Sequence, residues 1–177
     1  HCSMISRNTR GCNSSVVRGS LQRGWGPIAA GGSAGGHLAF CTSIKQGADD
    51  PKDDTTISCI PQAMVLYNPA LFYSDSEGVM VSVGGGTLSA ERLKLISPLD
   101  HVDKDTPPTL ILFGTRDRLK SGADVYLRLA KEVGIRAEMF TAEGENHGFF
   151  NTEPWLSKTT AEVHKFLVSL GYLDKMK

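Results

Sequence analysis

The chain has 177 residues, the length of one ordinary domain, and 40% of its residues are hydrophobic while 21% are charged, as in soluble globular proteins. Its 19 basic and 19 acidic residues give a zero formal charge, so nothing points to a nucleic-acid partner. No stretch approaches the roughly 18 consecutive apolar residues that a membrane-spanning helix needs. The composition therefore predicts one soluble domain without a membrane span, and it indicates neither a compartment nor an oligomeric state.

Residues 1–27 show neither helical nor strand periodicity, so we expect an irregular N-terminal segment there. The charged residues that precede the first acid, Asp49, are all basic: Arg7, Arg10, Arg18, Arg23 and Lys45. A Ser- and Arg-rich leader without acids can indicate a transit peptide. Because it leads straight into the most structured motif of the chain, a truncated or irregular start is the favoured interpretation, and residues 28–177 are expected to form the domain.

From residue 28 onward, short apolar runs alternate with helical patterns. This alternation predicts an α/β fold with a mostly parallel sheet flanked by helices. Residues 28–30 are predicted to be a short buried strand. Residues 34–44 are predicted to be a helix that Gly47 is available to end.

The middle of the chain is less regular. The polar stretch at 46–56 is predicted to be a solvated loop. Residues 64–67 are predicted to form the second strand, and Asn68 with the proline after it stops this strand, because a proline disfavours regular structure in the residue before it. Residues 70–101 are expected to be an irregular lid or binding loop. The triple glycine at 84–86 lacks the Lys-Ser/Thr of a phosphate-binding loop, so it predicts flexible backbone.

The last third of the chain resumes the alternation. Residues 109–113 are the clearest strand of the sequence, and a further strand is predicted at 137–141. Helices are predicted over 122–133 and 155–170, with a glycine closing each one. The residues expected to face inward are Val125, Leu129 and Val133 in the first of these helices, and Val163, Phe166, Leu167 and Leu170 in the second.

The four cysteines have no CxxC spacing and no nearby histidine pattern, so the sequence predicts neither a metal site nor a cofactor. They are Cys2, Cys12, Cys41 and Cys59. The simplest interpretation is that they are small buried hydrophobic residues. A disulfide between Cys41 and Cys59 is an open alternative.

Residues 31–35 have the sequence Gly-Gly-Ser-Ala-Gly, which is the GxSxG pattern of a nucleophile elbow, where a strand turns abruptly into a helix. The glycines are needed because larger side chains beside Ser33 would collide across so tight a turn. The helix that follows adds its positive end, and the backbone N–H of Ala34 is placed to donate to an oxyanion. GxSxG also occurs by chance in Gly-rich loops, but its position between an apolar run and a helix favours the elbow.

A serine hydroxyl is a weak nucleophile at neutral pH, so Ser33 needs a base and an orienting acid. Asp117 follows the strand at 109–113, and His147 lies in the loop after the next strand. All three residues are therefore expected at the same edge of a parallel sheet. We predict a catalytic triad of Ser33 as nucleophile, Asp117 as acid and His147 as base.

Both partners also have a purely structural alternative. Asp117 can serve as a cap of the helix that follows, and His147 can be a loop histidine without a functional role. Their rivals fit less well. The other candidate carboxylates, Asp103 and Asp105, precede the strand, while His101 also precedes it, His164 is in mid-helix and His37 is one turn inside the helix after the elbow. Glu143 and Glu145, shortly before His147, are expected on a solvated loop face.

The segments at residues 31–37, 112–117 and 144–149 together resemble the α/β-hydrolase esterases and lipases, especially small carbohydrate-esterase-like members that include acetyl xylan esterases. The likeness runs from Ile28 to the end of the chain. It implies that the matching Ser, Asp and His form the triad, that no cofactor is used, and that the substrate is a small-molecule ester cleaved to an alcohol and a carboxylic acid.

The resemblance also implies strands before the nucleophile strand and a His-Gly-Gly type loop whose N–H groups complete the oxyanion hole. No such motif precedes Ser33. We therefore expect the C-terminal part of an α/β-hydrolase that lacks the usual first strands, with an exposed sheet edge.

Three functions remain as hypotheses from the sequence. The first is an esterase that forms an acyl-enzyme on Ser33 and acts on short-acyl esters, with acetylated carbohydrates as the resemblance-based example. The second is a serine peptidase similar to prolyl oligopeptidase, which shares the fold and the order of the triad. The third is a catalytically silent domain, derived from a hydrolase, that only binds or assembles.

Overall fold

The computed structural model describes residues 16–17, 26–45, 52, 58–75 and 88–174. Strands and α-helices alternate along most of this part of the chain. In order they are β1 (Val16–Val17), β2 (Ile28–Gly32), α1 (Ala34–Cys41), β3 (Ala63–Tyr67), α2 (Ala90–Leu95), β4 (Thr109–Gly114), α3 (Lys120–Val133), β5 (Ala137–Ala142) and α4 (Trp155–Ser169). Two short 3₁₀ helices cover Pro98–His101 and Phe149–Asn151.

The described strands form one sheet in the order β1-β2-β3-β4-β5. Neighbouring strands from β2 to β5 run parallel, and β1 pairs antiparallel with the outer edge of β2. The predicted mostly parallel sheet flanked by helices is therefore confirmed. Because β2 to β5 point the same way, the loops that follow them all leave the sheet at one edge, where ligand sites of open α/β sheets form.

The sheet is buried on both faces, as parallel sheets are. Side chains alternate along β3 and β4 between two apolar clusters. Met64 and Ile111 belong to the cluster that also holds residues of α1 and α3. Val65 and Leu112 belong to the other cluster, which α4 covers with Phe166. All six residues of β4 are buried, which explains why its sequence is a continuous apolar run.

Two expectations for the amino-terminal region are corrected. The segment 1–27 is not wholly irregular, since Val16–Val17 pairs with β2, although apart from residues 26–27 its other residues lie outside the described part of the chain. The same pairing covers Ile28 and Ala29, so the outer edge of β2 is not fully exposed there. Both differences arise from the shortness of the strand, because two residues carry no periodicity.

Helix α1 ends at Cys41, three residues earlier than predicted. The hydroxyl groups of Thr42 and Ser43 donate hydrogen bonds back to the carbonyl oxygens of Ala39 and Phe40, at 2.7 Å each. These bonds satisfy carbonyl groups that the end of a helix leaves open. Gly47, which we expected to end the helix, lies outside the described residues.

The stretch at 70–101 is not irregular throughout, because it contains α2 and a 3₁₀ helix. The start of α2 has a clear local cause: the Ser89 side chain accepts a hydrogen bond from the Arg92 N–H, as N-cap residues do. The alternating polar and apolar residues of so short a helix did not reveal it. The triple glycine at 84–86 lies outside the described residues.

The inward face of α3 differs from the prediction. Its buried residues are Ala123, Tyr126 and Ala130, while Val133 is 36% exposed. Val125 and Leu129 pack at the margin of the core. The helix is turned in this way because Tyr126 enters the core fully, where its hydroxyl donates a hydrogen bond to Thr109 Oγ1 at 2.9 Å.

The carboxyl-terminal elements agree with the predicted pattern. Helix α4 buries Phe166, and Val163, Leu167 and Leu170 pack against the same cluster. Gly134 and Gly171, which follow α3 and α4, both have the left-handed backbone expected of closing glycines. Across the part of the chain that the structure describes, no helix is both long and apolar enough to span a membrane.

Candidate active site

The turn between β2 and α1 is tight and strained. Ser33, at its apex, has φ 55° and ψ −120°, a conformation that residues with a side chain rarely adopt. A Cβ atom at Gly31 would collide with the carbonyl of Gly35, and one at Gly32 would lie 2.7 Å from the Phe150 ring. Gly31 is thus required by its close approach to the Gly35 carbonyl, whereas a Cβ atom added at Gly35 would meet nothing within 4 Å.

The carboxylate that follows β4 is enclosed. The Asp117 side chain is only 1% exposed. Its Oδ1 accepts a hydrogen bond from the Leu119 N–H at 2.9 Å, just before α3, although α3 has no side-chain N-cap hydrogen bond. Its Oδ2 lies 2.7 Å from His147 Nδ1. The bond from Leu119 and the contact with the histidine are compatible, because the two oxygens serve different partners.

The histidine that follows β5 joins the other two residues. His147 Nε2 lies 2.8 Å from Ser33 Oγ, while its Nδ1 faces Asp117. With the proton on Nδ1, the ring donates to the carboxylate and accepts from the serine hydroxyl. The His147 side chain is 43% exposed. The structure thus brings Ser33, Asp117 and His147 into one continuous hydrogen-bonded line.

The loop that carries His147 is fixed by backbone contacts. Glu145 accepts a hydrogen bond from the Arg116 N–H through its carbonyl oxygen, at 2.9 Å. We expected its side chain on a solvated loop face. Instead, its Oε1 accepts a hydrogen bond from Trp155 Nε1 at 2.8 Å. A Cβ atom at Gly114 would collide with the Glu145 carbonyl. The ends of β4 and β5 therefore approach each other too closely for any other residue at position 114.

Asn68 is a site residue that the sequence analysis assigned only to stopping a strand. It follows β3, has no exposed surface, and donates a hydrogen bond from Nδ2 to Asp117 Oδ2 at 2.6 Å. Its Oδ1 accepts a hydrogen bond from the Gly148 N–H at 3.3 Å. A usable signal was present in the sequence, since a polar residue directly after a buried parallel strand lies at the same edge as Ser33.

His37 is set apart from the hydrogen-bonded line. Its ring is buried in α1, stacks on Phe72 with 5.2 Å between ring centroids, and lies 2.7 Å through Nε2 from the carbonyl oxygen of Ile96. Burial lowers the pKa of His37 below its ordinary value of 6.5, and the hydrogen bond to Ile96 opposes that shift. The ring therefore links α1 to the segment that follows α2.

A cavity of about 750 Å³ opens beside Ser33. This volume lies within the range of small-molecule sites. Its lining combines Ser33, Asp117 and His147 with apolar side chains, among them Ala34, Leu38, Phe72, Ile96 and Leu119. Ala34 is the first residue of α1, and the first N–H groups of a helix have no acceptor within the helix. The Ala34 N–H is therefore available to a ligand oxygen next to Ser33.

Among the described residues, no group of three or more His, Cys, Asp or Glu side chains is arranged to hold a metal ion.

The sequence model of the α/β hydrolase fold family matches residues 27–151, which include Ser33, Asp117 and His147. The chain belongs to the α/β hydrolase fold family.

Relatives in this family include esterases. The apo form of esterase 2 from Thermogutta terrifontis is 34% identical, with a TM-score of 0.73, over 84% of this chain and 57% of that one. The carboxylesterase/phospholipase LipF of Mycobacterium tuberculosis is 24% identical over 161 residues, which cover 81% of this chain and 43% of LipF. A shorter match, 32% identical over 79 residues, links 38% of the chain to 10% of the acylamino-acid-releasing enzyme of Arabidopsis thaliana.

The α/β hydrolase fold that the sequence predicted is therefore confirmed by the family match and by the esterase structures. The chain spans less than half of the length of LipF and little more than half of the length of the esterase 2 structures.

Proposed function

We propose that this protein is a carboxylic ester hydrolase in which Ser33 is the nucleophile, His147 the general base and Asp117 the orienting acid. The observation that carries the proposal is the unbroken line of two hydrogen bonds, 2.8 Å from Ser33 Oγ to His147 Nε2 and 2.7 Å from His147 Nδ1 to Asp117 Oδ2. This is the geometry by which a base activates a serine hydroxyl while a carboxylate holds the correct tautomer of the ring.

In the first half of the reaction, Ser33 Oγ attacks the ester carbonyl carbon and His147 Nε2 takes the hydroxyl proton. The carbonyl oxygen becomes an oxyanion, to which the Ala34 N–H at the start of α1 donates a hydrogen bond. When the intermediate collapses, the bond between the carbonyl carbon and the alkoxy oxygen breaks, and His147 gives its proton to the departing alcohol. The acyl group remains on Ser33.

In the second half, water replaces the alcohol. His147 takes a proton from the water molecule as its oxygen attacks the acyl carbon, and then returns the proton to Ser33 Oγ when that bond breaks. The products are a carboxylic acid and the free serine. Asp117 keeps its charge throughout and stabilises the imidazolium that forms twice in each cycle.

The substrate is proposed to be a short-acyl ester of small size, with acetylated carbohydrate as one example. The apolar side chains beside Ser33, among them Leu38 and Ile96, offer contacts to a short acyl chain. Propionate-bound and butyrate-bound structures of Thermogutta terrifontis esterase 2 support short acyl chains by similarity.

A second candidate is hydrolysis of an acylated amino acid or peptide, because part of the chain is 32% identical to an acylamino-acid-releasing enzyme. The esterase proposal has the wider support, since the esterase 2 match covers 84% of the chain against 38% for that enzyme. Comparing the kcat/KM values for 4-nitrophenyl acetate and for an N-acetyl amino acid nitroanilide separates the two.

The test of catalysis is the Ser33→Ala variant. We expect turnover of 4-nitrophenyl acetate to fall about 10⁶-fold. Labelling by a fluorophosphonate is expected to disappear as well, in keeping with esterase 2 structures that are phosphorylated by paraoxon and phosphonylated by sarin. Ser157→Ala is the matched control, because Ser157 is exposed on α4 and its hydroxyl bonds to Glu153.

Wild-type turnover that survives in Ser33→Ala would show that another group performs the reaction. A wild-type chain that neither turns over the ester nor takes the label would instead favour the silent binding domain.

A further inference from the structure

Each of the parallel strands β2 to β5 is followed by one polar residue of the hydrogen-bonded site. Ser33 follows β2, Asn68 follows β3, Asp117 comes after β4 and His147 after β5. In the order of the sheet, β3 lies between β2 and β4. Asn68 therefore stands between the loop of the serine and the loop of the acid, although no role for it follows from the reaction scheme above.

The side chain of Asn68 connects two of these loops. Its amide nitrogen donates to Asp117 Oδ2, the same oxygen that faces His147 Nδ1. Its amide oxygen accepts from the N–H of Gly148, the residue after the histidine. One amide group thus holds the carboxylate and the histidine loop at once, and it has no exposed surface through which water can replace it.

The backbone around Asn68 is held equally firmly. Its N–H donates to the carbonyl oxygen of Leu112 in β4 at 2.9 Å, and the preceding carbonyl, that of Tyr67, accepts from the Ser33 N–H at 2.8 Å. Asn68 has φ 45°, in the left-handed region, which asparagine tolerates better than most residues with a side chain. The end of β3 therefore touches the loops of all three proposed catalytic residues.

We propose that Asn68 is a positioning residue of the hydrolase, whose side-chain amide fixes the Asp117 carboxylate and the His147 loop in the arrangement that the reaction uses. It does not touch the substrate, and it acts through Asp117 and His147. The inference rests on the proposed function for its effect on turnover, whereas its structural part, the orientation of the two residues, can be measured without turnover.

Hydrogen-bond donors to the carboxylate also limit how it can rotate. Leu119 N–H holds Oδ1, so a second donor on Oδ2 leaves the carboxylate one orientation towards His147. Without Asn68, Oδ2 keeps only its contact with the partly exposed ring of His147. A displacement of about 1 Å in a catalytic group can cost about 100-fold in rate.

The first test is Asn68→Gly, which keeps the left-handed backbone accessible and removes both side-chain contacts. We expect kcat for 4-nitrophenyl acetate to fall about 100-fold, with KM little changed. Asn151→Gly is the matched control, because exposed Asn151 donates to the Gly148 carbonyl but makes no contact with Asp117. It is expected to keep the wild-type kcat.

The second variant, Asn68→Asp, keeps the volume of the side chain and the acceptor for Gly148, and replaces only the donor to Asp117. Two carboxyl groups 2.6 Å apart cannot both ionise, so they will share one proton. We expect part of the activity to be retained where His147 is unprotonated and the pair still holds that proton, and to decline at higher pH as the proton is lost. The wild type is expected to have no such descending limb, and a residue needed only for folding would not create one.

The third measurement does not need turnover. A proton held between His147 Nδ1 and a fixed carboxylate gives a far-downfield ¹H resonance, which we expect in the wild type and in Asn151→Gly. It is expected to shift or disappear in Asn68→Gly. If that resonance is unchanged and kcat stays at the wild-type value, Asn68 does not position the pair. If the wild type lacks turnover but its resonance still depends on Asn68, the function proposal fails while the positioning inference stands.

Discussion

The two ends of the line of hydrogen bonds that joins Asp117 to Ser33 differ in how far the fold encloses them. The Asp117 side chain is 1% exposed, and Leu119, Asn68 and His147 all donate to its oxygens. One hydrogen bond further along, the His147 side chain is 43% exposed and faces the cavity. The Asp117 carboxylate is therefore buried, while the His147 imidazole is partly exposed in the cavity.

This difference matches the roles that we propose. An acid that only orients its partner has to be held still and kept from water, and each buried donor contributes to that. A base that takes a proton from a hydroxyl and later from water must be within reach of both. The enclosed end therefore provides preorganisation, and the open end provides access.

The largest expected effect tests the open end. Replacing His147 with alanine should lower kcat/KM for 4-nitrophenyl acetate about 10⁶-fold, because the hydroxyl then lacks its base. Since the side chain is 43% exposed, added imidazole can enter the space it leaves. We expect imidazole to raise the kcat/KM of His147→Ala about 100-fold, which is the lower end of what a positioned base contributes. The effect should saturate at high imidazole concentration.

The control is the same experiment at the enclosed end. Asp117→Ala should lower kcat about 10⁴-fold, and added formate should not restore it, because the side chain that formate would replace is only 1% exposed. Rescue of Asp117→Ala by formate, or failure of imidazole with His147→Ala, would contradict the proposed contrast between the two ends.

A smaller effect on kcat is expected from a substitution that displaces the loop of His147. In Gly114→Ala, the added Cβ meets the Glu145 carbonyl, and the loop of His147 has to move outward. We expect kcat to fall about 100-fold, because about 1 Å of displacement separates the ring from the carboxylate. Steady-state kinetics with a thermal melt would measure both consequences of the substitution.

Gly171→Ala serves as its control. Gly171 has φ 79° at the end of α4, with nothing within 4 Å of an added Cβ, so the variant strains the backbone by about 1–2 kcal/mol without touching the site. If Gly171→Ala lowers kcat as much as Gly114→Ala, the loss reflects general destabilisation rather than displacement of His147.

The sequence predicted the line of hydrogen bonds better than the groups that support it. Ser33, Asp117 and His147 were found because each one follows a predicted strand of a parallel sheet, and such strands end at one edge. The contacts of Asn68 depend on the order of strands in the sheet, in particular on β3 lying beside β4. Sequence periodicity gives the strands but not their neighbours.

Other errors have the same origin in tertiary contacts. Val133 fits the apolar stripe of α3, yet it is 36% exposed because the helix is rotated to bury Tyr126. Glu145 has the composition of a solvated loop, but it bonds to Trp155 of α4. In both cases local pattern gave the element correctly, and packing against a distant element decided which side chain is enclosed.

His37 extends the comparison to a histidine that is enclosed, and it gives the smallest expected effect. Its pKa is lowered by burial, so between about pH 7 and the lower pKa of the folded state the unfolded chain binds a proton that the folded chain does not. The free energy of unfolding should therefore fall as pH falls through 6.5, by at most about 1.4 kcal/mol per pH unit from this group. In His37→Gln this part of the pH dependence should vanish, which urea unfolding at several pH values would measure.

Tyr126→Phe is the control, because it removes a buried hydrogen bond to Thr109. Burial has raised the pKa of Tyr126 to about 12, far from this pH range. The difference in unfolding free energy from the wild type should thus depend on pH for His37→Gln and stay constant for Tyr126→Phe; parallel curves for both would mean that His37 stays equally protonated in the folded and unfolded chain.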